Sequence, residues 1–185
     1  MKKLILGLLS LFVVVSLQAQ DASAAYKEAN KAMKRYPIET DNDKKAELLS
    51  QAINAIDKAV VGVDQFEGKD KTKMLLKAGE IYNEQANSDL KQQITLNEAF
   101  KSDHPDAAMK AYKALTMVLE VADKKYFKSD AMDGLKITAD HLGNAGLFAY
   151  KANDYKTAYK SYNAVLDIKK ILDGAGKKGV LAEES

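Results

Sequence analysis

The stretch NDYKTAYKSYNAVLDI, Asn153 to Ile168, is rich in polar residues, yet Tyr155, Ala158, Tyr162 and Val165 return every three or four positions. That is the spacing of one helical face. A face that sets a very small residue beside a large aromatic is shaped like a hole beside a knob, and such a surface interdigitates with a neighbouring helix at short range. The spacing therefore predicts a helix that buries Tyr155, Ala158, Tyr162 and Val165 against another helix.

Working outward, the same periodicity recurs in five earlier blocks. They are Ala22, Tyr26, Ala29 and Met33; Leu49, Ile53, Ile56 and Val60; Leu75, Ala78, Tyr82 and Ala86; Ala108, Ala111, Leu115 and Val118; and Ala131, Leu135, Leu142, Ala145 and Ala149. Breaks fall between the blocks. YPIETDND carries a proline, EGKDK a glycine, and SDHPD places Pro105 at a first helical position. KAND separates the last two blocks, and DGAGKKG ends the final one with glycines. Two prolines in the chain and a dominance of Ala, Lys, Leu and Glu make the class all-α.

The blocks also repeat. Ala52, Ile56 and Ala59 share their spacing with Ala108, Tyr112 and Leu115, and again with Ala158, Tyr162 and Val165. AGEIYNEQAN, with Gly79 and Tyr82, parallels NAGLFAYKAN, with Gly146 and Tyr150. A glycine inside a helix costs roughly 1 kcal/mol relative to alanine, so Gly79 and Gly146 are expected where another helix approaches closely. Three antiparallel helix pairs follow from this pattern.

Ahead of them, Lys2 and Lys3 precede an uncharged run from Leu4 to Leu17, followed by SLQAQ. A basic start, an apolar stretch shorter than the roughly 20 residues of a membrane span, and small residues near Ala19 read as a secretory signal peptide. The organisation is then a signal over 1–19, a repeat domain over 20–172 and a flexible tail over 173–185. The destination is the periplasm or the exterior, with a soluble mature chain and no membrane attachment after cleavage. Of 28 basic and 26 acidic residues, two lysines lie in the signal, so the rest carries 26 of each and is formally neutral. Nucleic-acid binding and polybasic lipid attraction both need a basic surplus, which this balance lacks. The absence of cysteine excludes disulfides and thiol chemistry.

The last pair, with Leu142, Gly146, Tyr155, Ala158, Tyr162 and Val165, resembles the tetratricopeptide repeat, whose motif matches the 12-residue separation of Gly146 and Ala158. Gly79 and Ala108 lie 29 apart, an insertion of about 17 residues relative to the motif spacing. The first pair matches only in its second helix, and Ile168 is followed by lysines where the family often has proline. The resemblance implies three antiparallel pairs stacked as a right-handed α-solenoid, a non-catalytic scaffold of the kind exported by bacteria, and a groove accepting a protein or peptide. Carried over residue by residue, the groove positions are Lys73, Leu76, Glu80 and Asn83 in the middle repeat, and Asp140, Leu147, Tyr150 and Lys151 in the last. The carboxylate-gripping variant of the family is not expected, because Leu76, Glu80, Gly143 and Leu147 occupy its lysine and asparagine positions. The plain alternative is that Leu147 and Tyr150 pack within the array. For the chain as a whole, the alternative is a periplasmic helical bundle with a structural or stress role and no open groove.

No cofactor, metal or enzymatic centre is expected. HExxH, the ExxH of di-iron bundles, a phosphate-binding glycine loop and GxSxG are all missing. His104 and His141 have no partner at functional spacing; His104 reads as a residue at a helix start and His141 as an exposed or partly packed helix residue. DNDKK, from Asp41, lacks the glycine and distal glutamate of a calcium loop and reads as a helix N-cap. Within the insertion Asn87 to Asp103, the residues Leu90, Ile94, Leu96 and Phe100 predict a short amphipathic helix that either covers the edge of the middle repeat or serves as a docking element. The final face, Val165, Ile168 and Leu172, is expected to lie uncovered at the end of the array, to be closed by self-association, by a partner, or by the tail through Val180 and Leu181.

Overall fold

The computed structural model describes residues 22–96 and 101–177. The signal reading, Phe100, Val180 and Leu181 lie outside them. The described chain is all-helical: α1 over 22–35, α2 Asn42–Val61, α3 Gly68–Leu96, α4 Ala107–Val121, α5 Lys125–Lys151 and α6 Tyr155–Gly174. Short 3-10 turns at Tyr36–Ile38 and Val63–Gln65 separate the first three. The chain divides into two compact units, Met1–Met74 and Leu75–Ser185, and the boundary falls within α3.

In the first unit, α1 and α2 form an antiparallel pair. Lys45, near the start of α2, stands over the ring of Tyr36 just past the end of α1. Gly62, just past the end of α2, approaches Ala22 so closely that a Cβ there would sit 2.6 Å from the alanine Cβ. Tyr26 and Phe66 close the same end edge to face at 5.9 Å. Ala22, Ala25, Ala29 and Ala32 are buried on α1, as are the bulkier Leu48, Leu49, Ile53 and Ile56 on α2. The start of α2 is set by Asp41, whose Oδ1 accepts from the backbone N–H groups of Asp43 and Lys44. The N-cap reading of DNDKK is thus the correct one.

In the second unit, α3 pairs with α4 and α5 with α6, both antiparallel. Gly79 and Gly146 stand where they were expected to be needed. A Cβ on Gly79 would lie 2.5 Å from Leu115 of α4, and one on Gly146 would lie 2.9 Å from the Tyr162 ring of α6. The turn between α5 and α6 is closed by Asn153 in the left-handed conformation at φ 60°, with Asp154 N–H donating back to Ala149 O. Asp154 then caps α6 by accepting from Thr157 N–H. At the other end, Gly176 at φ 70° terminates α6, and Lys177 Nζ reaches Asp133 and Ser129 near the start of α5.

Three expectations need correction. Of the four α6 residues expected to be buried, Ala158 and Val165 are, but Tyr155 is 59% and Tyr162 41% exposed. The buried face of α6 continues instead through Ser161, Ala164, Ile168 and Leu172, because small residues let α5 approach while the tyrosines ride at the boundary. Val165, Ile168 and Leu172 are accordingly interior and not an uncovered end. The insertion does not start a new helix: Asn87 to Leu96 simply continues α3, with Leu90 half-buried and Ile94 and Leu96 exposed. A smaller difference is that Pro105 occupies the turn before α4, which begins at Ala107.

Ala158 itself is buried. Ala158→Leu is therefore expected to overpack the interior at a cost of roughly 1 to 3 kcal/mol, read as a shift in the urea midpoint. An unchanged midpoint would remove Ala158 from the interior.

Candidate functional site: a cleft between α3 and α5

Helices α3 and α5 lie side by side in the second unit and run in the same direction. Asn83 meets Gly134 and Thr138, while residues 86–93 share a wall with residues 141–149. They are held together by a buried polar clasp. Asn83 Nδ2 donates to Gly134 O at 3.2 Å, and Thr138 Oγ1 donates to Asn83 Oδ1 at 2.9 Å. Thr138 is fully buried, so each group satisfies the other away from water.

Along this clasp the two helices border a cleft of about 580 Å³. Its α3 wall carries Leu76, Glu80, Asn83, Glu84 and Asn87; its α5 wall carries Asp130, Gly134, Ile137 and His141, with Leu115 of α4 behind. Leu115 reaches in because glycine faces it on both sides: a Cβ on Gly134 would lie 3.0 Å from it, mirroring Gly79. Three carboxylates, two amides and three aliphatic side chains line the cleft, and no lysine or arginine is among them. Ile137 stands 52% exposed, an apolar contact open to an incoming chain.

Leu76, Glu80 and Asn83 were expected in the groove, and all three line this cleft, though Asn83 is spent on the clasp. Glu80 pairs with Lys77 along α3. Lys73 is exposed and belongs to the first unit. Asp140, Leu147, Tyr150 and Lys151 are exposed on α5 but do not line the cleft. Leu147 and Tyr150 are exposed and do not pack in the interior either. The α5 wall uses Asp130, Gly134, Ile137 and His141 instead. α5 has 27 residues; its first half and middle form this wall, while its last turns meet residues 86–93 of α3 in a second cleft. The four-residue spacing of Asp130 and Gly134, continued by Ile137 and His141, was the sequence signal for this wall.

His141 stands where this cleft meets a second one of about 290 Å³, shared with Asp89, Ser102, His104, Phe148 and Thr157. Its Nδ1 is buried with no hydrogen-bond partner among the described residues. Burial pushes the imidazole below its ordinary value, opposed by the charges of Asp140 and Glu84. In the second cleft, Asp89 accepts from Ser102 Oγ at 2.6 Å and from Gln85 Nε2 at 2.7 Å, and burial pushes its carboxyl up against the effect of those bonds. Ser102, Asp89 and His104 do not form a nucleophilic triad. The serine proton is committed to Asp89, and its oxygen accepts from the His104 backbone N–H at 2.9 Å. The trio fastens the loop before α4 to α3. Among the described residues no three His, Asp or Glu side chains converge as a metal ion would need.

No family model matches the chain, and no curated protein or solved structure matches it either. No described helix is long and apolar enough to cross a membrane.

A depressed imidazole makes stability depend on pH with a definite sign. The unfolded chain takes up the His141 proton near pH 6.5, before the folded chain does, so acidification below that point favours unfolding. The urea midpoint is expected to fall between pH 7.5 and 5.5, and His141→Gln to reduce that fall. Equal falls in the two proteins would show that His141 is not held neutral by burial.

Proposed function

We propose that the chain is an irregular tetratricopeptide-like scaffold that holds a segment of another protein in the α3–α5 cleft and does no chemistry. The observation that carries this reading is the cleft's composition. An aliphatic floor of Leu76, Leu115 and Ile137 beside Glu80, Glu84 and Asp130 suits a segment in which aliphatic side chains alternate with lysine or arginine. The two antiparallel pairs of the second unit, with α3 and α5 alongside each other, support a solenoid in which first helices line the groove. The apolar run from Leu4 to Leu17 behind Lys2 and Lys3 supports export to the periplasm or beyond. N-terminal sequencing of protein made in a bacterial host is then expected to begin near Gln20, and intact Met1 in the membrane fraction would overturn that part.

Photo-crosslinking tests the binding. A photoreactive side chain at Ile137 is expected to capture protein from the native envelope, one at Lys113 on the exposed side of α4 is not, and Glu80→Lys with Glu84→Lys is expected to suppress capture at Ile137. Equal yields at the two positions would favour the closed-bundle alternative, and capture indifferent to the charge reversal would remove the cationic character of the segment.

A further inference from the structure

The last helix pair leaves an apolar surface that the cleft does not use. Tyr155, Tyr159, Tyr162 and Leu166 form one stripe along α6, each at least 41% exposed, and Leu147 and Tyr150 extend it onto α5 through the edge contact of Tyr150 with Tyr155 at 5.6 Å. Contiguous exposed tyrosine and leucine of this kind mark an interaction surface more often than a solvated one. The repeat itself indicates what such a surface is shaped to receive. Fifty residues earlier on α4, the corresponding Met109, Tyr112 and Thr116 are half-buried. α6 touches α4, and at Tyr112 it comes close enough for the Asp167 charge to act on the hydroxyl. The equivalent surface of α6 is made to the same plan, to be covered by a helix.

We propose that the helix covering it is α6 of a second copy, in an antiparallel twofold pair centred near Tyr162. Charge complementarity selects this occupant. At about 100° per residue, Lys156, Lys160 and Asp167 fall along one edge of the tyrosine stripe, the lysines before the centre and the aspartate after it. In an antiparallel pair, that edge of one helix faces the same edge of the other. Lys156 and Lys160 of each copy thus come opposite Asp167 of its mate, while Tyr159, Tyr162 and Leu166 close the seam. Asp167 pairs within its own helix with Lys170 at 3.4 Å, but that pair is exposed and exchangeable.

Sedimentation of the full chain over a dilution series tests this. The expected result is a monomer–dimer equilibrium. Tyr159→Glu with Leu166→Glu abolishes it without loss of helical circular dichroism. Lys156→Asp with Lys160→Asp, at two exposed positions that leave the interior untouched, weakens it about tenfold, and adding Asp167→Lys restores it. A wild-type monomer throughout, or a dimer indifferent to the α6 changes, would overturn the proposal. Failure of Asp167→Lys to restore association would overturn the antiparallel register. Dimerisation only after truncation past Lys177 would show that the chain's own tail covers the stripe, which also overturns it. None of these outcomes bears on capture at Ile137.

Discussion

Ile168→Lys is expected to destabilise the protein by on the order of 4 kcal/mol, enough to leave it largely unfolded in mild urea. Ile168 is completely buried. The substitution therefore removes a packed side chain, worth roughly 2 to 5 kcal/mol when truncated, and places an ammonium at a position shut off from water. Lys170→Ala, two residues on and exposed, serves as the control and should stay within about 0.5 kcal/mol. The contrast is a test of helical rotation. If Ile168 lay on an outer, uncovered face of α6, the lysine would be tolerated as readily as the alanine, so a shift below about 1 kcal/mol would refute the burial.

Gly79→Leu carries the second large effect, of about 3 kcal/mol. On propensity alone, any side chain at this position should help the helix by up to roughly 1 kcal/mol. Packing wins because even a Cβ would lie 2.5 Å from both Cγ and Cδ2 of Leu115. Leu115 cannot retreat. It is buried, and the Gly134 backbone of α5 lies close on its other side. Overpacking costs of about 1 to 3 kcal/mol therefore sit at their upper end here. The decisive measurement is a double-mutant cycle. Leu115→Ala alone should cost roughly 2 to 5 kcal/mol by leaving a cavity. The pair should cost at least 1 kcal/mol less than the sum, because the new leucine fills the space the old one vacates. Strict additivity would mean that α3 and α4 do not meet at these residues.

Both predictions mark the line between what the residues announced and what they withheld. The sequence by itself determined that the described chain is helical and where most of its helices lie. Periodicity, the Asp41 cap, the KAND break and the glycines after α6 are local signals, and a helix is a local structure. It also located Gly79 and Gly146 as points of close approach, because a helix carries an interior glycine at a cost that only a neighbour can offset. Three residues that line the cleft, Leu76, Glu80 and Asn83, came from the resemblance to the tetratricopeptide repeat and not from periodicity.

Only the tertiary structure decided which side of α6 faces inward. Two faces of that helix are apolar, one built from Ala158, Val165, Ile168 and Leu172 and the other from Tyr155, Tyr159, Tyr162 and Leu166, set about a third of the circumference apart. A moment calculated along one helix cannot choose between them, since the choice belongs to whichever helix packs alongside. α5 approached over the small side chains, and the tyrosines were left at the edge. The same holds for the second wall of the cleft. Asp130, Gly134, Ile137 and His141 line the cleft with α3 because the register of two helices separated by some fifty residues is fixed by interdigitation across space, through Leu115 between two glycines and Asn83 clasped by Thr138.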